Sequence, residues 1–317
     1  MSKKIIILKP RLDIPFKKME EIPKNKGKIN NLRNFYLGFI SVIKNKYQTL
    51  GYNVEIIEKP LWEFNKDFVG SLSFDEIFIP HHGVKTFDPN QELNGVNYYM
   101  QMVFPWLFQV DKLGWCADAS VWPIKPANYT DGKIFNFYKK LALSGASKFL
   151  QPDRAKISFS HKFILFLCQI PHDQTIKLHS KVSVESALLK TIEISKKLKL
   201  KLIVKLHPVN LPSMEPIIKL IEKINHNGND ICVIEKANIH DLIESSVAVF
   251  SVNSGGGMEA LLHNKPVFCF GRSDYASVSH FIEDDFNWSI KDKFINDYPN
   301  FFESYHNAMI NVGNIKL

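Results

Sequence analysis

Only four cysteines occur in 317 residues, and Cys116, Cys168, Cys232 and Cys269 stand far apart with no C-x-x-C pair. That spacing excludes a zinc ribbon and a thioredoxin-like redox motif, and it offers no disulfide framework. Three of the four lie in apolar stretches, so buried free thiols in a reducing compartment, the cytoplasm, are expected. Long apolar runs are missing too. No stretch reaches the roughly 18 residues that span a bilayer. The opening MSKKIIILKPRLD carries too short an apolar segment for a signal-peptide core and reads as a first buried strand. Fine-scale repeats and low-complexity tracts are also lacking.

What remains is a globular composition, 45% hydrophobic and 23% charged, in a chain long enough for two domains. The formal charge is +8 and the pI is near 9.1. Much of the excess sits in Lys17–Lys28 and Lys196–Lys201, without the interleaved aromatics of a single-strand binder, so no nucleic-acid partner is expected. Solvated faces account for the charge. Attraction to an anionic membrane surface, as a peripheral contact at the inner face, or to a polyanionic acceptor stays open.

The periodicity alternates strand and helix. Ile5–Leu8, Val54–Ile57 and Glu76–Pro80 read as short buried strands, and Asn31–Leu50 as a helix capped at Gly51. Tyr98–Gln109 reads as an aromatic-rich helix or buried segment. In the second half, strands are expected at Phe163–Cys168, Leu202–Lys205, Ile231–Ile234, Val247–Ser251 and Pro266–Phe270. Helices are expected at Val184–Leu198, Glu215–Asn225 and Ile239–Ser245, with a further one starting at Gly257–Leu262. Five alternating strands suffice for a doubly wound domain. The fold expected is α/β, of GT-B type, with two Rossmann-like domains facing a central cleft. The domains are placed at 1–152 and 153–290, with a boundary in the polar stretch Gln151–Ser160, and a terminal helix near Pro299–Asn311 within 291–317 crosses back to the first domain.

Three loops carry candidate chemistry. Ser251-Val-Asn-Ser-Gly-Gly-Gly-Met-Glu follows a strand and opens a helix, so its N–H groups and positive dipole end suit an anion. The glycines Gly255 and Gly256 allow close backbone approach, Ser254 adds a hydroxyl, and Glu259 stands about one turn in, where it can accept from a ribose hydroxyl. A plain glycine turn is the competing reading. His207, stiffened by Pro208 at a strand exit, can donate to a phosphate, with Lys205 adding charge. Gln169 and Asp173 leave another strand, where substrate contact and simple helix capping by Asp173 compete.

Together these pieces resemble the capsule polysaccharide biosynthesis glycosyltransferases that transfer Kdo (3-deoxy-D-manno-oct-2-ulosonic acid) from CMP-Kdo. The matching motifs are Gln169-Ile-Pro-His-Asp173, Lys205-Leu-His-Pro208, Ser254-Gly-Gly-Gly-Met-Glu-Ala-Leu-Leu, Asn264-Lys-Pro-Val-Phe-Cys-Phe-Gly and Tyr275. The chain departs from that pattern after Gly271, where Arg-Ser-Asp precedes Tyr275 in place of an aromatic-glycine run. The resemblance implies that His207 and Ser254 contact the CMP phosphate, that Glu259 contacts the ribose or cytidine, and that Lys205 and Gln169 hold the sugar or phosphate. It implies a glycan or glycolipid acceptor in bacterial capsule or lipopolysaccharide assembly, with no cofactor beyond the CMP-sugar donor and no metal; no DxD pair stands in a suitable loop. A CMP-sialic acid or CMP-glycerol transferase is an alternative, although the Asp-Tyr-Ser-Ser signature of the latter is absent. A non-catalytic nucleotide-sugar-binding partner of other glycan-assembly enzymes is another.

The first half offers Arg11 and Asp13 after its first strand, His81 and His82 after a later one, and Asp118 in a small-residue loop. A carboxylate there serves as nucleophile if configuration is retained, and a carboxylate or histidine as base if it is inverted. Asp118 leads, followed by Asp13 and His82, against a turn-capping reading of Asp118. His81 and His82 lack a third ligand at metal-binding spacing.

Overall fold

The computed structural model describes residues 3–11, 26–144, 149, 151–155, 159–208, 211–226, 231–283 and 286–313. Asp13 and most of the Lys17–Lys28 stretch lie outside these residues. The chain divides into two compact α/β units, Met1–Trp122 with His306–Lys316, and Pro123–Tyr305. Each has the Rossmann-like plan expected, a largely parallel sheet with helices. Among the described residues, no helix is long and apolar enough to cross a membrane.

The first unit holds β1 (Lys4–Pro10), β2 (Asn53–Lys59), β3 (Glu76–Ile79), β4 (Val96–Gln101), β5 (Leu107–Asp111) and β12 (Ile310–Asn311), in the order β12-β5-β4-β3-β1-β2. Strands β2, β1, β3 and β4 run parallel, and β5 and β12 are antiparallel additions. The continuous apolar run of β1 is explained by burial on both faces. Ile6 and Leu8 join a core with Ile77, Ile79 and Phe87, whereas Ile5 and Ile7 pack with Phe39, Ile43 and Phe108 of the opposite layer. The helix expected over Asn31–Leu50 runs from Lys26 to Thr49, and Gly51 beyond it has φ +80°.

The aromatic segment Tyr98–Gln109 is no helix. It forms the antiparallel pair β4 and β5, turned at Pro105–Trp106, because Tyr98, Tyr99, Leu107 and Phe108 are buried from both sides of a sheet.

The second unit holds β6 (Phe163–Leu167), β7 (Lys201–Lys205), β8 (Ile231–Ile234), β9 (Ala248–Ser251), β10 (Val267–Cys269) and β11 (His280–Phe281), all parallel, in the order β11-β10-β9-β6-β7-β8. The helices at Val184–Leu198, Glu215–His226, Ile239–Ser245 and Gly255–Leu262 lie where the periodicity predicts them. Three of the four cysteines are buried and all are free. Burial pushes the Cys168 thiol up to about 12 and that of Cys269 to about 11.

Two expectations about boundaries need correction. The division falls at Trp122–Pro123, about thirty residues before 152. The polar stretch at 151–155 is anchored in the second unit. Gln151 Oε1 accepts from Ile239 N at 3.0 Å, Pro152 O accepts from Asn238 Nδ2 at 2.8 Å, and Arg154 pairs with Asp241 and Glu244. The helix of 133–143 joins this unit as well, through Phe135 and Tyr138 against Phe302. The terminal helix, Tyr298–Asn307, stays with the second unit to Tyr305; the strand β12 after it is what joins the first sheet, against β5.

Candidate functional site

In the second unit β6 comes first along the chain and stands mid-sheet, with β7 on one side and β9 on the other. The winding reverses between β6 and β9, and in open parallel sheets ligands bind outside the carboxyl ends at such a switch point. Leu167 is in register with both Lys205 and Ser251. Gln169, His207 and Asn253 each stand two residues beyond that rung, so three strand exits present side chains at one level.

The loops are fastened to each other. Asn253 N donates to Gln169 Oε1 at 2.9 Å, and Gln169 Nε2 donates to Asn253 Oδ1 at 2.9 Å. Asn253 Nδ2 also donates to Thr175 O at 2.9 Å and to Arg272 O at 3.3 Å. Both amides are buried. Gln169 therefore acts on the Ser254 loop by clamping it. Asp173 caps the helix Gln174–His179 by accepting from Thr175 N at 2.8 Å. Lys205 is buried, and its ammonium donates to Leu206 O at 2.8 Å and Glu235 O at 3.1 Å, with burial lowering its pKa. These three side chains are directed into the protein's own frame.

His207 is half-buried with its ring 5.2 Å from that of Phe149, and Pro208 beside it is exposed. Ser254 is the N-cap of the helix Gly255–Leu262 and accepts from Gly256 N at 3.2 Å. Its hydroxyl hydrogen is left to point elsewhere, since a hydroxyl that accepts can still donate. Its carbonyl accepts from Gly257 N at 2.9 Å and from the Tyr275 hydroxyl at 2.6 Å.

Two of the three glycines answer to packing. A Cβ at Gly256 would meet Leu167 Cδ1 at 2.6 Å, and one at Gly257 would meet the Tyr275 hydroxyl at 2.1 Å. Gly255, the first, is half-buried. Glu259 lies inside the helix with 7% of its side chain exposed, its Oε1 3.9 Å from His240 Nε2.

In the first unit Asp118 and His82 come together around Gly114. A Cβ there would lie 2.8 Å from His82 O and 3.3 Å from Asp118 Cβ. Asp118 pairs with Lys85, and Trp115 N donates to His82 O at 2.9 Å while the two rings lie 5.5 Å apart. The loop is held from beneath by Asp111, whose Oδ1 accepts from Leu113 N at 2.7 Å and whose Oδ2 accepts from Ser120 N at 2.9 Å. Gln109 Oε1 accepts from Cys116 N at 3.0 Å, at a residue with φ +56°. Burial, then the neighbouring His82, lowers His81 to about 4, and its Nδ1 accepts from Gly83 N at 3.3 Å. His81 is thus engaged with this turn through its Nδ1.

Sequence reasoning missed Asn253, His240, Lys85 and Asp111. Asn253 carried a signal, as the polar residue next to Ser254; His240 and Lys85 carried none, since their partners Glu259 and Asp118 lie 19 and 33 residues on, and Asp111 lay in a segment whose strand was not read.

The family model described as capsule polysaccharide biosynthesis protein matches residues 126–283, about half of the chain and most of the second unit. That segment belongs to the capsule polysaccharide biosynthesis family. The motif-bearing loops at 169–173, 205–208 and 254–259 all fall inside it. Among solved structures, the chain is similar to the β-Kdo 2,4 transferase of Thermosulfurimonas dismutans KpsC at 14% identity, covering 79% of this chain and 83% of that one with a TM-score of 0.50. It is also similar to the β-Kdo 2,7 transferase of the same protein, at 16% identity, 81% and 86% coverage and a TM-score of 0.45. At such identity the first likeness establishes fold alone. No curated protein matches the chain in sequence.

Proposed function

We propose that the chain is a glycosyltransferase of bacterial capsule or lipopolysaccharide assembly, taking Kdo from CMP-Kdo to a glycan or glycolipid acceptor. The observation that carries this reading is the level at which Gln169, His207 and Asn253–Ser254 leave adjacent strands, inside the capsule-family segment. In it, His207 and the Ser254 hydroxyl donate to the CMP phosphate at the N-terminus of the helix Gly255–Leu262, where the dipole favours an anion. Glu259 accepts from a ribose hydroxyl. Gln169, Lys205 and Asp173 hold the loops that carry these groups, and Gly255, Gly256 and Pro208 shape them. Asp118, Asp13 and His82 supply the carboxylate or base for transfer. The cytoplasm, with peripheral contact at the inner membrane face, is the compartment this assigns.

Full-length protein incubated with CMP-Kdo, CMP-sialic acid and a set of UDP- and GDP-sugars tests the reading, with nucleotide release and thermal shift as readouts. CMP release from CMP-Kdo is expected. Stabilisation by a UDP- or GDP-sugar with no response to either CMP-sugar refutes it.

A further inference from the structure

Glu259 sits at one end of a buried chain of rings. His240, fully buried on the helix Ile239–Ser245, has Nε2 3.9 Å from Glu259 Oε1 and Nδ1 3.0 Å from His263 Nε2. The two imidazoles are tilted by 34° to one another, with 5.2 Å between centroids. Glu259 and His263 belong to the helix that opens at Ser254 and to its end, so His240 spans one face of that helix from a neighbouring one.

Burial, followed by electrostatic repulsion from His240, Arg154, Lys265 and Lys139, lowers His263 to about 3, so its ring is neutral. A neutral ring at the Nδ1 side can donate to His240 or accept from it. In the first, His240 is a neutral Nε2–H tautomer; in the second it carries both protons or is protonated at Nδ1 alone. A carboxylate at Nε2 favours the two forms protonated there over a bare lone pair aimed at negative charge. The separation of 3.9 Å is longer than a hydrogen bond, so the N–H acts on the carboxylate electrostatically, as a dipole or as a cation.

The helix Ile239–Ser245 is itself fixed. Asn238 Oδ1 accepts from His240 N at 3.0 Å, Gln151 Oε1 from Ile239 N at 3.0 Å, and Asp241 takes Arg154 and the Ala155 N–H. His240 therefore stands on a braced support against a carboxylate on the candidate nucleotide loop.

We infer that His240 is a positioning residue, which presents Nε2–H to Glu259 and holds that carboxylate oriented for a ribose hydroxyl. The inference rests on the nucleotide reading above. It adds a residue outside the three sequence motifs, acting on the ligand only through Glu259.

Two measurements on the full chain test it. Nitrogen-15 spectra of histidine-labelled protein should show His240 protonated at Nε2; a neutral Nδ1–H tautomer overturns the inference whatever the nucleotide is. Calorimetric titration with CMP and with 2′,3′-dideoxy-CMP gives the second. Wild type should bind CMP roughly tenfold more tightly than the dideoxy analogue, one hydrogen bond to a charged group being that strong. His240→Phe, which keeps the ring and loses the nitrogens, should bind the two within about twofold of each other, and His240→Gln, which restores an N–H at the ε position, should recover part of the preference. Circular dichroism confirms that each variant is folded. A His240→Phe variant that keeps the full preference overturns the positioning role while leaving the nucleotide reading intact. A wild type that binds CMP and the analogue equally overturns the positioning role and the ribose contact of Glu259 while the nucleotide site stands; one that binds neither overturns the nucleotide reading.

Discussion

Gln169 and Asn253 hold each other twice, main chain to side chain and side chain to side chain, both at 2.9 Å and both buried. Each loop at the switch point is thus a template for the other. Gln169→Leu would strand the Asn253 N–H and amide oxygen without their partner. A buried group left so costs about 2 kcal/mol. The urea midpoint of the variant should fall accordingly, and thermal stabilisation by CMP should fall with it.

Gly257 has no room for a side chain. With the Tyr275 hydroxyl 2.1 Å and its Cζ 2.5 Å from a Cβ there, Gly257→Ala must move a fully buried ring that also donates to Ser254 O. Overpacking of this kind costs about 3 kcal/mol. A lowered melting temperature is expected; an unchanged one would show that the tyrosine yields freely.

Arg154 matters for its partner. Its guanidinium pairs with Asp241, whose side chain is only 5% exposed, and with exposed Glu244. Arg154→Ala leaves the Asp241 charge buried and should cost about 3 kcal/mol in denaturant, whereas Glu244→Ala should cost under about 1 kcal/mol.

Acid should weaken both units through histidine. His81 is lowered to about 4 and His263 to about 3, from 6.5. The unfolded chain takes up protons first, so stability is lost as pH falls below about 6.5, and each ring contributes until pH reaches its folded value. The slope approaches about 1.4 kcal/mol per pH unit for each ring. Unfolding followed at pH 7, 6 and 5 should show this fall, and His263→Gln should flatten it.

For transfer itself, Asp118→Asn should lower CMP release from CMP-Kdo by about a thousandfold, as loss of a nucleophile or base does. Lys85→Met, which removes the cation beside Asp118, should act in the same direction by less. Release should continue in EDTA, because His207, Ser254 and the helix N-terminus are assigned to the donor phosphate.

Much of the second unit was legible from its residues. Strand and helix periodicities at 184–198, 231–234 and 239–245 are set by neighbours a few positions away, and the structure reproduces them. The loop motifs were legible as strand exits for the same reason. The segment at 98–109 was not, because aromatic residues buried on every side show no distinguishing period. Nor was the boundary: a polar stretch at 151–155 looks like a linker until Gln151 and Arg154 find their partners on a helix almost ninety residues on.

The sequence by itself determined two α/β halves, the alternation within them, and the loops that leave the strands with His207, Ser254 and Gln169. Local pattern suffices for that, because an element's period and its breakers lie within its own span. Tertiary structure decided what each polar group does. Gln169 meets Asn253 across 84 residues only because β6 and β9 pair in one register, and Glu259 meets His240 only because two helices pack side by side. A side chain's chemistry is written in its type, but its partner is set by the packing of the whole unit.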